Sequence, residues 1–190
     1  GHYGSDLKDY DFSDLLNELQ NIKGLERIRI SSVEITELND KFLDTLKKCD
    51  KIANHIHIPL QAGSNEILKA MNRKYDLAYF FEKIKEIRKI RPNISITTDV
   101  IVGFPGETKE LFEETIKTCR DLEFAKIHVF PYSERKGTKA MELPNHVDPS
   151  EKKRRARELL LVSKELEIAY ANNFLNKQEE VLIEEEKDGY

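Results

Sequence analysis

Strand-like segments alternate with helical ones along this chain, and this alternation constrains its fold more than any other feature. Segments rich in branched and aromatic residues predict strands over 25–32, 54–61, 94–103 and 125–133. Amphipathic helical patterns lie between these segments. Parallel strands need long crossover connections, so repeated strand–helix units favour a parallel sheet covered by helices. The sequence therefore predicts an α/β fold.

Each predicted strand has an apolar and a polar face, because side chains alternate along a strand. The polar faces carry Arg29, Ser31, His55, His57, Gln61, Ser95, Thr97, Asp99, His128 and Tyr132. The interior of an ordinary βα barrel is filled by branched apolar side chains, so these polar faces indicate a binding site. An open sheet with its polar face in solvent is the alternative. Ligands of such sheets bind at the carboxyl ends of the strands.

A glycine-containing loop, GFPGET, follows the third predicted strand over 103–108. It matches neither GxxxxGK[ST] nor GxGxxG, so it is not a recognised phosphate loop. Gly103 and Gly106 would let a ligand approach the backbone closely, and Pro105 stiffens the bend. An ordinary tight turn without a ligand explains the same residues.

Two further patterns leave other functions open. His55 and His57 lie two apart on one strand and, with Asp99 and His128 nearby, would suit a barrel metallohydrolase. The basic run KKRRAR at 152–157 could contact nucleic acid phosphates, or it could be a solvated helix face. An RNA-binding or assembly module without catalysis of its own is therefore another alternative.

Composition sets broad limits on the chain. Charged residues make up 35% of the 190 residues and the net charge is −4, which suits a soluble globular protein and names no partner. No apolar run or leader predicts a membrane partner, and we expect a cytoplasmic location. Cys49 and Cys119 predict buried thiols rather than a disulfide framework. The chain starts without Met and ends on a strand-like segment, so we expect a piece of a longer protein.

Four longer motifs carry a resemblance to a known family. They are RIRISSVE, HIHIPLQAGSNEILKAMNRKY, TTDVIVGFPGET and HVFPYSERKGTKA. In this order they strongly resemble the radical S-adenosylmethionine (radical SAM) methylthiotransferases over about residues 1–178. The branch that acts on N6-threonylcarbamoyladenosine of tRNA is the most similar. The isopentenyladenosine and ribosomal-protein branches stay open.

The resemblance implies a fold and a domain division. Residues 1–147 would form a partial, open βα barrel truncated at its N-terminal side, 148–178 its long C-terminal helix, and 179–190 the start of a TRAM-like β domain. The family uses S-adenosylmethionine and two four-iron, four-sulfur clusters, one of them held by a CxxxCxxC motif. This chain lacks that motif, so we expect it to be catalytically inactive by itself. An exposed sheet edge would favour self-association.

The resemblance also implies site residues and partners. S-adenosylmethionine would contact Ser31, Ser32, Glu34, His57, Gln61, Ser64, Asp99, Gly103, Phe104, Tyr132, Ser133 and Arg135. The anticodon loop of tRNA would contact Arg154, Arg155 and Arg157. The complete enzyme would insert sulfur at a C–H bond of the modified adenine and then transfer a methyl group.

Overall fold

The computed structural model describes residues 3–4 and 6–180. The elements within them are α1 (Phe12–Leu19), α2 (Asp40–Lys48), β1 (His55–His57), α3 (Asn65–Ala70), α4 (Leu77–Ile90), β2 (Ser95–Val102), α5 (Lys109–Asp121), β3 (Lys126–Pro131), α6 (Lys139–Glu142) and α7 (Pro149–Asn172), with a 3₁₀ turn over Ile35–Glu37. The predicted TRAM-like strand over 181–190 lies outside the described residues. Among the helices of the described part, none has the length and apolarity to cross a membrane.

The three strands form one parallel sheet in the order β1-β2-β3. His55 lies opposite Ser95, and Thr97 lies opposite Lys126. The sheet is not closed in the described part of the chain, which confirms the prediction of an open, parallel α/β fold. Self-association along a sheet edge stays a prediction.

The first predicted strand, over 25–32, does not form a continuous strand. It touches its neighbour through two parallel bridges, between Ile28 and Ile52 and between Ser32 and His57. A strand needs continuous pairing with its neighbour, and β1 provides only three residues. The second predicted strand is short because Pro59 has no backbone N–H to donate. Pairing resumes beyond it, where Gln61 bridges to Val100.

The predicted alternation of strand faces is confirmed by burial. In and beyond β1, Ile56, Ile58 and Leu60 are buried, whereas His55 and His57 are half-buried. The buried face joins one hydrophobic cluster with side chains of the covering helices. These include Phe80, Ile84 and Ile87 of α4, Phe112 and Cys119 of α5, and Leu159 and Val162 of α7. The helices therefore cover the apolar side of the sheet.

Candidate functional site

Polar side chains meet at the carboxyl ends of the strands, as the sequence predicts. They line a recess of about 270 Å³. Its lining residues are Ser32, Glu34, Ile35, Pro59, Gln61, Arg73, Tyr75 and Asp99, and we call it the carboxyl-end recess. It holds two carboxylates, one guanidinium and several hydroxyl or amide groups. This donor and acceptor set suits a polar ligand that carries both an ammonium group and hydroxyl groups.

The backbone around Gln61 shapes this recess. Gln61 adopts a left-handed conformation with φ of +69°. Its N–H donates to the Asp99 carbonyl at 2.8 Å, and its carbonyl accepts from Ile101 at 2.9 Å. Both backbone groups of Gln61 are therefore hydrogen-bonded to residues of β2. The Gln61 side chain is left to line the recess beside Asp99.

Arg73 and Tyr75 line the recess and were not predicted as site residues. The Tyr75 hydroxyl donates to the carbonyls of Leu60 at 3.0 Å and Pro59 at 3.3 Å, and burial raises the pKa of Tyr75 to about 12. The Arg73 Nε is buried and has no partner among the described residues. Both residues belong to the NRKY end of the second motif, so that motif contained the signal for them.

A row of polar contacts crosses the polar face from the amino towards the carboxyl ends of the strands. The Thr97 hydroxyl lies 3.1 Å from His55 Nε2 and 2.9 Å from His57 Nδ1. His57 Nε2 in turn lies 3.3 Å from Asp99 Oδ1. His57 therefore contacts both Thr97 and a carboxylate that lines the carboxyl-end recess.

The Nδ1 atom of His55 is buried and has no hydrogen-bond partner among the described residues. Burial, Arg29 and His57 lower the pKa of His55, which favours its neutral form.

The metallohydrolase alternative is not favoured by this geometry. Within residues 3–4 and 6–180, no group of three or more His, Cys, Asp or Glu side chains is arranged to hold a metal ion. His55 and His57 converge on the Thr97 hydroxyl instead. His128 contacts the His57 ring with a centroid separation of 5.7 Å.

A larger cleft lies at the amino ends of the strands and has a volume of about 980 Å³. Its lining residues are Arg29, Ile30, Ser31, His55, His57, Ser95, Thr97, Ala125, Lys126, His128, Glu167, Tyr170, Ala171 and Phe174, and we call it the amino-end cleft. Ser31 and His57 line this cleft rather than the carboxyl-end recess. These two predicted cofactor residues are thus separated from the group in the recess. Ser32, Glu34, Gln61 and Asp99 are the group that the structure brings together.

The GFPGET loop packs closely against α7. Gly103 has φ of +73°, and a Cβ atom there would lie 2.5 Å from Lys152 Cγ. The Gly103 N–H donates to the Glu107 carboxylate at 2.6 Å. Phe104 is buried and contacts Tyr132 edge-to-face at 5.1 Å between ring centroids. Packing against α7 therefore accounts for the glycine, and contact of this loop with adenine stays a prediction.

Arg155 has a different place from the one the basic run predicts. Its side chain is buried, and its Nη1 donates to Glu107 Oε2 at 2.7 Å and to the Glu107 carbonyl at 2.8 Å. Its Nε donates to Glu151 at 2.9 Å. Burial raises the pKa of Glu107 in spite of these contacts. Since a buried, paired guanidinium cannot reach a phosphate in solvent, the structure removes Arg155 from the RNA-binding set.

The remaining predicted residues are spread over several elements. Ser64 is fully buried and caps α3 by accepting the N–H of Ile67 at 3.4 Å, so its hydroxyl serves the helix. Ser133 and Arg135 are exposed in the loop after β3. Arg154 and Arg157 are exposed on α7, and Arg154 pairs with Glu151 and Glu158.

The cysteines do not fit an iron–sulfur cluster. Cys49 and Cys119 are both fully buried in the hydrophobic cluster. Burial raises the pKa of Cys119 to about 12, whereas cluster ligands are thiolates. The chain holds no other cysteine. No chemical step through a cluster can therefore be assigned to the residues of this chain.

The unclosed parallel sheet, its one-sided cover of helices and its polar recess define a partial βα barrel. Coproporphyrinogen III oxidase (HemN) from Escherichia coli, a radical SAM enzyme, shares this fold with a TM-score of 0.65 at 23% sequence identity, over 81% of this chain and 36% of that chain. The radical SAM methyltransferase TsrM from Kitasatospora setae aligns with a TM-score of 0.52 at 16% identity, over 63% of this chain and 24% of that chain.

Sequence comparison gives the family. The model of the radical SAM superfamily matches residues 2–119, and the chain belongs to this superfamily. The chain is 44% identical to threonylcarbamoyladenosine tRNA methylthiotransferase MtaB of Bacillus subtilis, over 97% of this chain and 41% of the relative. It is 42% identical to the tRNA-2-methylthio-N(6)-dimethylallyladenosine synthase of Desulfitobacterium hafniense, over 96% of this chain and 41% of the relative. The chain thus spans about two fifths of the length of these relatives.

Proposed function

We propose that this chain is the core of a tRNA methylthiotransferase that adds a methylthio group to C2 of N6-threonylcarbamoyladenosine next to the anticodon. The observation that carries the proposal is the 44% identity to the Bacillus subtilis relative over 97% of this chain. The carboxyl-end recess supports it, because Glu34, Asp99 and Ser32 offer acceptors for the ammonium and hydroxyl groups of S-adenosylmethionine.

The complete protein would need two four-iron, four-sulfur clusters that this chain cannot ligate. The cluster held by the CxxxCxxC motif would supply the electron that cleaves S-adenosylmethionine. The part left to this chain is to bind and orient that molecule. Gln61 and Asp99 line the recess, and His57 Nε2 lies 3.3 Å from the Asp99 carboxylate. Alone, the chain is expected to be inactive.

The tRNA partner would meet the exposed guanidinium groups of α7. Arg154 and Arg157 are the candidates, whereas Arg155 is buried. An anticodon-loop base can be splayed out for chemistry, as single-stranded RNA bases often are. Such an enzyme would act in the cytoplasm, where tRNA is modified.

A chimera tests the proposal. This chain replaces the matching segment of the Bacillus subtilis relative in a strain without that enzyme, and tRNA nucleosides are analysed by mass spectrometry. We expect the 2-methylthio derivative of N6-threonylcarbamoyladenosine to return. Asp99→Asn should abolish it, and Asp121→Asn, on the outside of α5, should not. A stable chimera that methylthiolates only the dimethylallyl nucleoside, or none, refutes the proposal.

A further inference from the structure

The amino-end cleft is unusual because α/β sheets normally bind ligands at the opposite end of their strands. It contains the first residues of all three strands, His55, Ser95 and Lys126. Its volume of about 980 Å³ is at the upper end of the range for small-molecule sites. It shares no lining residue with the carboxyl-end recess, although its His57 contacts Asp99 of that recess at 3.3 Å. The proposed methylthiotransferase function gives no role to its Arg29, Lys126, Tyr170 or Phe174.

The side chains that line the cleft carry more positive than negative charge. Arg29 and Lys126 line it, and neither makes a side-chain hydrogen bond or ion pair with another described residue. The one carboxylate among its described lining residues is Glu167, which is already paired with Lys164 at 3.1 Å. The guanidinium of Arg29 matches the geometry of a phosphate, and Lys126 adds a second positive charge.

The remaining wall of the cleft is aromatic. Tyr170 and Phe174 of α7 and the turn that follows it contact each other edge-to-face, with ring centroids 5.2 Å apart. The Tyr170 hydroxyl donates to the Asn93 carbonyl at 2.9 Å, which fixes its ring against the start of β2. A fixed pair of rings is a surface on which a flat heterocycle can stack.

We propose that the amino-end cleft binds a mononucleotide. Its phosphate contacts Arg29 and Lys126, and its base stacks on Tyr170 and Phe174. The positive charge and the aromatic wall of the cleft then each have a partner. The site is separate from the carboxyl-end recess and needs neither a cluster nor S-adenosylmethionine.

The test is calorimetric titration of the 190-residue chain with adenosine 5′-monophosphate, inorganic phosphate and adenosine. The nucleotide should bind more tightly than either part alone. Arg29→Ala should weaken nucleotide binding about tenfold or more, because a charge-assisted contact is lost. Arg27→Ala is the matched control, since Arg27 is exposed, pairs with Glu180 and does not line the cleft.

Further variants separate the parts of the site. Phe174→Ala should weaken binding of the nucleotide but not of inorganic phosphate, and Lys126→Ala should weaken both. Addition of S-adenosylmethionine should leave nucleotide binding unchanged. Circular dichroism checks that each variant is folded, and nucleotide-induced shifts of the His55 and His128 ring protons give a second measurement in the unmutated chain.

Four results would overturn the proposal. These are no nucleotide binding at millimolar concentration, equal weakening by Arg27→Ala and Arg29→Ala, displacement of the nucleotide by S-adenosylmethionine, and tenfold tighter binding of a trinucleotide, which would indicate an RNA strand. The proposed methylthiotransferase function could fail in its chimera test without affecting any of these measurements.

Discussion

The buried ion pair between Glu107 and Arg155 should dominate the stability of the GFPGET loop. Arg155→Met removes hydrogen bonds to the Glu107 carboxylate, the Glu107 carbonyl and Glu151, at 2.7, 2.8 and 2.9 Å. It leaves the carboxylate of Glu107, whose side chain is 0% exposed, with the Gly103 N–H as its contact. Removing one partner of a buried pair typically costs about 3–5 kcal/mol, and we expect a loss of that size in the free energy of unfolding.

The assay is urea unfolding followed by circular dichroism, with two companion variants. Arg154→Met removes an exposed guanidinium of the same helix and should cost much less than Arg155→Met, because solvent screens exposed ion pairs. The double variant Glu107→Gln, Arg155→Met should recover about 1–3 kcal/mol relative to Arg155→Met, because no uncompensated charge stays buried. Since an unpaired Glu107 would bind a proton on folding, Arg155→Met should also gain stability relative to wild type as pH falls from 7.

The reasoning is refuted if Arg155→Met costs no more than Arg154→Met. It is also refuted if the double variant is less stable than Arg155→Met, because the buried charge would then not be the source of the loss.

Three further predictions use the same unfolding assay. Gly63→Ala should cost about 2–3 kcal/mol of unfolding free energy, because its Cβ would lie 2.5 Å from Thr115 Cα. Gly24→Ala meets no atom within 4 Å and should cost about 1 kcal/mol from its positive φ alone. Equal losses in the two variants would contradict this prediction. Arg91→Gln should cost about 2–4 kcal/mol of unfolding free energy, because Arg91 donates to the carbonyls of Leu46, Cys49 and Ile52 at 3.1, 2.7 and 2.7 Å. A loss no larger than that of Arg157→Gln, which changes an exposed arginine, would argue against this prediction. Hydrogen bonds from Arg154 and Arg155 lower the pKa of Glu151 from 4.5 to about 2, so its ionised form stabilises the fold above pH 4.5 and this contribution is lost as pH falls towards 2. The difference in unfolding free energy between wild type and Glu151→Gln should therefore shrink over that range. A constant difference would disprove this prediction.

Strand faces could be predicted from the sequence, but strand lengths could not. The alternation of Ile56 and Ile58 with His55 and His57 follows from side-chain geometry alone, and burial confirms it. The extent of a strand depends on whether a neighbour offers backbone groups at each position. Pro59 and the short partner strand limit the paired length of these strands, and no local pattern in residues 25–32 indicates that limit.

The basic run shows which signal was overlooked. KKRRAR resembles a solvated surface, yet Lys152 and Arg155 share a helical face with Leu159 and Val162, and all four are buried. Spacings of three and four residues through the run would have indicated that face. The buried partner, Glu107, is distant in sequence, so the ion pair itself could not be inferred without the tertiary fold.

Sheet order also has a consequence for how the protein is made. Each strand of β1-β2-β3 lies beside the strand synthesised just before or after it, with two helices between β1 and β2 and one between β2 and β3. On the ribosome, every emerging strand can therefore join an edge that already exists, and none has to be inserted between two finished neighbours. The order in which the strands are synthesised thus matches their order across the sheet.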